Sequence, residues 1–324
     1  MFLTKTPFRI SFFGGGTDLP EFYKNYGGCV VSSTIDKYIY LTINKQFQKK
    51  GFNLKYKINE FPKTINSIKH PIIREVFKKY HIKDVVLSSI ADLPSNSGMG
   101  SSSTFTVGLL KLCAAYSEGL DLEKRVVSAM ACEIEIINLK EPIGKQDQYA
   151  SGFGGFNKIH FNNDGEVEIE PINLKSNILR LEKNLLLFYL GGLRKASSVL
   201  KDQNKQIRNK KISVQNSLNL KKIAEDFDEK KLLKNIDLFG ELLNENWKFK
   251  KTISKKISSP YIDEFYKEAL SSGAIGGKIL GAGGGGFFLI YARQKDHKKI
   301  IKKLKNFNLI NFSFENKGVQ LFKI

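Results

Sequence analysis

The chain has 324 residues, of which 41% are hydrophobic and 11% aromatic, a composition typical of a soluble globular protein with one large domain or two of ordinary size. The net charge of +20 comes from 45 lysines and only 7 arginines. These cations are scattered over predicted helix faces, which argues against a nucleic-acid-binding protein, where clustered arginine and a recognisable reader module are expected. The positive field would still concentrate small anionic substrates.

The cysteines and the lack of export signals predict a cytoplasmic protein. Cys29, Cys113 and Cys132 are widely spaced and form no metal-binding pattern, which suits a reducing compartment. Residues 1–16 lack the basic and apolar stretches of a signal peptide. No apolar run approaches the roughly 20 residues that a membrane helix needs, so we expect no membrane partner.

The first half of the chain mixes strand and helix patterns. A strand over 8–13 runs into a glycine turn at 14–18. The remaining predicted elements are strands at 29–33, 38–44, 52–58, 85–90, 155–161 and 167–172, helices at 70–80, 102–116 and 122–139, and a polar turn or short helix at 145–151.

The second half begins with a buried strand at 185–190. It continues with helices at 195–227 (with a break near Lys211), 229–257 and 261–272, strands at 276–281 and 286–292, a helix at 294–305 and two closing strands. Strands and helices do not alternate regularly, so the pattern predicts an α+β fold rather than a parallel α/β protein. We expect two domains, over 1–180 and 181–324.

Residues 94–103 form the most informative segment, Pro-Ser-Asn-Ser-Gly-Met-Gly-Ser-Ser-Ser, between a predicted strand and a predicted helix. The glycines allow a tight turn that brings N–H groups together, and the helix start adds unpaired donors and a positive dipole end, so the loop suits a phosphate group. The serines are equally suited to capping the helix. No Walker-type phosphate loop occurs, and the glycine run at 281–286 precedes a predicted strand, which excludes a dinucleotide-binding unit.

Three glycine-rich segments lie at the start, in the first third and near the end of the chain. They are Thr-Pro-Phe-Arg-Ile-Ser-Phe-Phe-Gly-Gly-Gly-Thr-Asp (6–18), the loop at 94–103, and Gly-Gly-Lys-Ile-Leu-Gly-Ala-Gly-Gly-Gly-Gly (276–286), which holds Lys278, Gly281, Gly283, Gly284 and Gly285. In this order the segments resemble the GHMP kinases (galactokinase, homoserine kinase, mevalonate kinase and phosphomevalonate kinase) over nearly the full chain. The resemblance implies an ATP-dependent kinase with a ribosomal-protein-S5-like N-terminal domain and a ferredoxin-like C-terminal α+β domain.

The resemblance also implies roles for individual residues. Asp147 would accept or orient the proton of the acceptor hydroxyl, and Arg9 would lie beside it and stabilise negative charge during phosphoryl transfer. Ser102 and Glu135 would bind Mg²⁺, with Glu133 as a competing carboxylate. The residues expected to bind the ATP phosphates are Pro94, Ser97, Gly98, Met99, Gly100, Ser101, Ser102 and Ser103.

Within the family, the motifs at 8–18, 143–150 and 276–287 most resemble those of bacterial D-glycero-D-manno-heptose 7-phosphate kinases. That likeness implies phosphorylation of the anomeric hydroxyl of a small-molecule sugar phosphate, for surface polysaccharide. Galactokinases carry Glu-His where this chain has Gly-Gly, which makes galactose an unfavoured substrate. The candidate substrate-binding residues are Gly15, Gly16, Thr17 and Asp18 for the sugar, and Lys145, Arg194 and Lys195 for its phosphate.

Two other interpretations stay open at this point. The chain could be a GHMP kinase for another sugar, such as fucose or an unphosphorylated heptose, or a non-catalytic binding protein with the same fold. The joint presence of Arg9, Ser102, Glu135 and Asp147 favours an enzyme, because a binding protein has no use for the base. The sequence leaves both a monomer and a homodimer open.

Overall fold

The computed structural model describes residues 1–47, 50–175, 177–192 and 196–324. Its strands are β1 (Phe2–Phe13), β2 (Gly28–Lys45), β3 (Asn53–Lys55), β4 (Asn59–Glu60), β5 (Val85–Ala91), β6 (Phe156–Phe161), β7 (Val167–Pro171), β8 (Leu185–Tyr189), β9 (Ala274–Ile279), β10 (Phe287–Ala292), β11 (Asn308–Ile310), β12 (Phe314–Glu315) and β13 (Gln320–Lys323). Its α-helices are α1 (Pro20–Tyr26), α2 (Pro71–Lys79), α3 (Ser101–Glu118), α4 (Lys124–Cys132), α5 (Gln146–Phe153), α6 (Asn177–Lys183), α7 (Ala196–Asn209), α8 (Lys211–Glu225), α9 (Glu229–Lys234), α10 (Leu238–Ile253), α11 (Pro260–Ser271) and α12 (Gln294–Lys303). The fold is α+β, as predicted. A 3₁₀ turn covers Ile65–Ser67, and a π-helical turn covers Glu133–Asn138 directly after α4.

The larger sheet has the strand order β13-β1-β2-β5-β3-β4, with β12 and β6 also paired to β2 and β7 paired to β6. β2 is one long strand, whereas the sequence predicted two strands separated by the polar Asp36 and Lys37. The reason is that successive stretches of β2 have different partners: its start pairs with β6, its end with β5, and β12 pairs with Thr34 and Ile35 between them.

The smaller sheet is antiparallel, in the order β11-β8-β10-β9, and α10 and α11 contribute to its core through Trp247 and Phe265. The sequence predicted two closing strands in this half of the chain, and three short strands follow α12. β11 pairs with β8 of the smaller sheet. β12 and β13 pair instead with β2 and β1 of the larger sheet. The division into domains at residue 180 stays a prediction.

An aromatic cluster joins the two halves. Phe12 at the end of β1 stacks on Phe156 with ring centroids 5.1 Å apart, and Phe239 of α10 lies edge-on to Phe12 at 5.1 Å. Phe239 also contacts Tyr291 of β10. Burying aromatic rings at the junction fixes the end of β1, and therefore the glycine turn after it, against the second half. No helix in the described ranges is long and apolar enough to cross a membrane.

Candidate active site

The glycine–serine loop leads directly into α3 and borders a cavity of about 690 Å³. Gly98 and Gly100 have φ values of +86° and +78°, a left-handed conformation that favours glycine. Gly100 occupies the N-cap position, and no side chain caps the helix. The first N–H groups of α3 are therefore available to an anion, and the simple capping role of the serines is not found.

Arg9 and Asp147 form the central ion pair of the cavity. Arg9 Nε donates to Asp147 Oδ1 at 2.7 Å and Nη2 donates to Oδ2 at 2.8 Å. The third contact of the guanidinium is from Nη1 to the carbonyl oxygen of Gly98, at 2.7 Å. A bidentate pair of this kind fixes the plane of the carboxylate. Asp147 is thereby oriented at the first turn of α5, next to the loop.

Ser102 and Glu135 meet at the start of α3. Ser102 Oγ donates to Glu135 Oε1 at 2.7 Å, and Gln148 Nε2 donates to Oε2 at 2.7 Å. Glu135 is fully buried in the π-helical turn, and burial raises its pKa above the ordinary range. The competing Glu133 is exposed and lies 4.0 Å from Lys79.

These oxygens suit Mg²⁺, a hard cation that takes one or two protein ligands and completes its shell with water and phosphate oxygens. Glu135 contacts Ser102 in the first turn of α3, so a cation held there would also face a phosphate bound by the N–H groups of that turn. Within the described part of the chain, no cluster of three or more His, Cys, Asp or Glu side chains forms a self-contained metal site. The donor set therefore fits an ion brought in with a nucleotide.

Asp18 lies at the end of the first glycine turn and accepts backbone hydrogen bonds from Gly16 N at 3.1 Å and Gln146 N at 3.2 Å. Burial, followed by the nearby charge of Asp147, raises its pKa to about 6. Gly144 packs so closely on this carboxylate that any side chain there would overlap it. Asp18 is therefore held in a fixed position at the cavity wall.

The third glycine segment packs against the phosphate loop. A Cβ added at Gly98 would lie 2.5 Å from the Leu280 carbonyl oxygen, and one at Gly281 would lie 2.5 Å from Gly98 Cα. Phe287 N donates to the Ser97 carbonyl oxygen at 3.2 Å. The glycines thus allow the loops from the two halves to touch backbone to backbone.

Lys278 and Lys250 bring two buried cations from the second half towards this region. Lys278 Nζ donates to the carbonyl oxygens of Ser11 and Phe12 at 2.8 and 2.6 Å, which ties β9 to the end of β1. Lys250 of α10 is only 4% exposed and donates to the Gly281 carbonyl oxygen at 2.6 Å. Burial lowers the pKa of Lys250 to about 8.

Several residues predicted for the site line the cavity: Arg9, Gly16, Asp18, Gly98, Gly100, Ser101, Ser102, Ser103, Asp147 and Gly281. Others support it from behind. Met99 is core, and Thr17 is buried with its hydroxyl bonded to the Cys29 backbone. The remaining predicted residues that are not among those lining the cavity are Pro94, Ser97, Gly15, Glu135, Lys278, Gly283, Gly284 and Gly285.

Of the three basic residues predicted to bind the phosphate of the sugar, none is among the described residues that line the cavity. Lys145 is also outside the cavity lining. Its ammonium donates to the Gly165 carbonyl oxygen and lies 5.1 Å from the centre of the Tyr23 ring, so these contacts engage it elsewhere. Arg194 and Lys195 lie outside the described residues.

Sequence reasoning missed several polar residues of the cavity, among them Gln146, Gln203 and Lys250. Gln146 immediately precedes Asp147, and its position beside the predicted base could have indicated that it lines the cavity. Gln203 and Lys250 lie on helices rich in lysine and asparagine, where neither their spacing nor their residue type separates them from a solvated face.

Known proteins resemble this chain over most of its length. The family models described as GHMP kinases N terminal domain and GHMP kinases C terminal match residues 66–155 and 223–309. A D-glycero-alpha-D-manno-heptose 7-phosphate kinase from Campylobacter jejuni is 31% identical, over 99% of this chain and 98% of the relative. A galactokinase from Pyrococcus furiosus is 24% identical, over 97% and 95%. A crystal structure of a D-glycero-D-manno-heptose 1-phosphate kinase from Bacteroides thetaiotaomicron shares the fold with a TM-score of 0.80 and 24% identity, covering 100% and 99%.

A glycine loop at a helix start, facing a carboxylate held by arginine, suits phosphoryl transfer, because the helix start can bind a phosphate group and the carboxylate can orient an acceptor. The chain belongs to the GHMP kinase family. It is a sugar kinase of that family and uses ATP.

Proposed function

We propose that the protein transfers the γ-phosphoryl group of ATP, with Mg²⁺, to the anomeric C1 hydroxyl of D-glycero-D-manno-heptose 7-phosphate, giving the 1,7-bisphosphate. The observation that carries this proposal is the position of Asp147. Its carboxylate is fixed by Arg9, and a Cβ added at Gly100 of the phosphate loop would lie 3.0 Å from Oδ2. A base and a phosphate cradle therefore share one cavity wall.

The proposed step balances as a single in-line displacement. The hydroxyl oxygen forms a bond to the γ-phosphorus while the bond from that phosphorus to the β–γ bridging oxygen breaks, and ADP leaves with the electron pair. Asp147 takes the hydroxyl proton. Arg9 keeps the carboxylate in place and, together with the N–H groups of α3, stabilises the negative charge of the transferred group.

Ser102 Oγ and Glu135 are the proposed ligands of Mg²⁺, which when bound neutralises phosphate charge and orients the nucleotide. Gln148 holds the second carboxylate oxygen of Glu135. Ser102 Oγ donates to the other oxygen, Oε1, so the two proposed ligands already lie side by side.

The cavity also carries polar groups suited to sugar hydroxyls. Asp18 offers a fixed carboxylate, and two buried amide atoms, Gln146 Oε1 and Gln203 Nε2, have no hydrogen-bond partner among the described residues. An unpaired buried donor and acceptor are costly in isolation, and a polyol supplies partners for both. The identity of the Campylobacter jejuni relative supports a phosphorylated heptose as that polyol. We place the reaction in the cytoplasm, where the product would supply nucleotide-activated heptose for surface polysaccharide such as capsule, S-layer or lipopolysaccharide.

A coupled ADP-release assay tests this function. The purified protein is given ATP, Mg²⁺ and, in turn, heptose 7-phosphate, heptose, fucose, mannose 6-phosphate and galactose. We expect the highest kcat/KM with heptose 7-phosphate and a product that carries phosphate at C1 by ³¹P NMR. A free sugar with equal or higher kcat/KM would replace the proposed substrate, and binding of sugars without ADP release would favour the non-catalytic alternative.

A further inference from the structure

Lys250 is a buried cation that reaches the active-site cavity. Its helix, α10, belongs to the second half of the chain, and the side chain lines the cavity with only 4% of the residue exposed. Among the hydrogen bonds of the described residues, Nζ makes one, to the Gly281 carbonyl oxygen at 2.6 Å. An ammonium group has three N–H donors, so two remain for another partner.

The other buried cations near the cavity already have partners. Arg9 is paired with Asp147 through two hydrogen bonds, and Lys278 donates to two backbone carbonyl oxygens behind the cavity. Across residues 1–47, 50–175, 177–192 and 196–324, no carboxylate lies within 4.0 Å of Lys250 Nζ. Because a buried, unpaired charge is costly, this ammonium is expected to have an anionic partner in the liganded enzyme.

The surroundings of Lys250 leave space for such a partner. Lys250 lines the cavity of about 690 Å³, and a Cβ added at Gly15 would lie 3.8 Å from Nζ, so the ammonium is next to the first glycine turn. The carbonyl that Lys250 binds belongs to Gly281, which packs on Gly98 of the phosphate loop. Nζ is therefore beside both the first glycine turn and the loop.

We propose that Lys250 Nζ binds a phosphoryl group within the cavity. This inference rests on the proposed function, because that reaction brings two phosphate sources to the cavity: the group transferred from ATP and the phosphate already present on the sugar. Both offer the same chemistry, anionic oxygens that accept charge-assisted hydrogen bonds.

A neighbouring cavity of about 380 Å³ is the main competitor for the phosphate of the sugar. Lys201, Lys205 and Arg208 of α7 line it. All three are exposed, and Arg208 is paired with Glu21 at 2.7 Å. Exposed lysines bind phosphate weakly because water screens their charge, so the buried Lys250 is the stronger candidate.

The test compares Lys250→Met with Lys248→Met, an exposed lysine two residues away on the same helix. Each variant is assayed with heptose 7-phosphate, with heptose and with varied ATP, and its folding is checked by thermal melting. If the ammonium binds the phosphate of the sugar, KM for heptose 7-phosphate rises about 10- to 100-fold, while kcat/KM for heptose and KM for ATP stay within about threefold. If it binds the transferred group, kcat falls by at least about 10-fold with both sugars. Lys248→Met should change none of these constants.

The proposal is overturned if folded Lys250→Met keeps every constant, kcat as well as both KM values, within about threefold of wild type, whether or not Lys205→Met raises KM for heptose 7-phosphate. Turnover of heptose 7-phosphate by the wild-type protein is measured in the same experiment. Absence of that turnover would contradict the proposed function, whereas an unchanged Lys250→Met variant beside an active wild type would contradict only the role of Lys250.

A second measurement covers the case in which Lys250→Met does not fold. The charged groups around Nζ are Arg9, Asp18, Asp147 and Lys278. Lys250 is cationic below its pKa of about 8, so wild-type kcat/KM should fall as the pH rises above about 8. Arginine stays charged throughout this range, so Lys250→Arg should lose that decline. A decline that persists unchanged in Lys250→Arg overturns the proposal.

Discussion

Arg9 and Asp147 are 138 residues apart in the chain and are joined by two hydrogen bonds of 2.7 and 2.8 Å. One residue lies on β1, which pairs with β13 and β2 in the larger sheet, and the other lies on the first turn of α5. The same guanidinium also binds the Gly98 carbonyl oxygen at 2.7 Å. The proposed base and the phosphate loop are thus positioned by one buried side chain.

Asp147→Asn should retain sugar and ATP binding and lose about 10²- to 10⁴-fold in kcat, the usual contribution of a positioned general base. Steady-state kinetics with KM values for both substrates will measure this. The control is Asp226→Asn, an exposed carboxylate at the end of α8, which should match wild type. Turnover of Asp147→Asn within a few-fold of wild type would mean that positioning alone carries the reaction.

Glu135→Gln and Ser102→Ala should each raise the Mg²⁺ concentration needed for half-maximal activity by about 10-fold or more, because each removes one hard oxygen ligand. Activity is measured over a range of free Mg²⁺ at fixed nucleotide. Glu133→Gln is the matched control, since that carboxylate is exposed and lies near Lys79. A larger effect of Glu133→Gln than of Glu135→Gln would show that Glu133, and not Glu135, binds the metal.

Gly98→Ala should weaken ATP binding and lower stability more than Gly119→Ala does. Both glycines have positive φ, +86° and +70°, so both alanines carry a backbone cost of about 1–2 kcal/mol. Only at Gly98 would the new Cβ meet another backbone, 2.5 Å from the Leu280 carbonyl oxygen, whereas nothing lies within 4 Å at Gly119. Chemical denaturation measures the loss of stability, and KM for ATP measures the weaker nucleotide binding. Equal losses of stability in Gly98→Ala and Gly119→Ala would contradict a role for the backbone contact.

The pKa of about 6 at Asp18 predicts an acid limb in the rate profile. Below that pH the carboxyl takes up a proton and loses acceptor capacity, so kcat/KM for the sugar should fall, and Asp18→Asn should lack the limb.

The same shift in Asp18 should be visible in stability. Because its pKa is higher in the folded protein than the ordinary value of 3.8, the folded state binds the proton more tightly. The contribution of Asp18 to the free energy of unfolding is therefore complete below about pH 3.8 and is lost as the pH rises through 6. The free energy of unfolding changes by about 3 kcal/mol over this range. Asp18→Asn should flatten the free energy of unfolding between pH 4 and 6 relative to wild type. If the free energies of unfolding of wild type and Asp18→Asn changed with pH in parallel, the shifted pKa would be contradicted.

The sequence by itself determined the class of fold and the family of kinases to which the chain belongs. Glycine at 98 and 100 followed by a helical pattern already predicts a turn with open N–H groups, because this is a local consequence of backbone freedom and helix geometry. The order of the three glycine segments pointed to the kinase family.

Only the tertiary structure decided which residues share the cavity. β12 and β13 return to the larger sheet because β1 and β2 offer unpaired edges there, a long-range choice that periodicity does not encode. Lys145 has the right position in sequence, yet its ammonium is bound at Gly165 and Tyr23. Lys250 has no motif around it, yet its helix packs beside β9 and carries the charge into the cavity. Local sequence sets the conformation of each segment, but burial and the pairing of charges depend on which segments pack together.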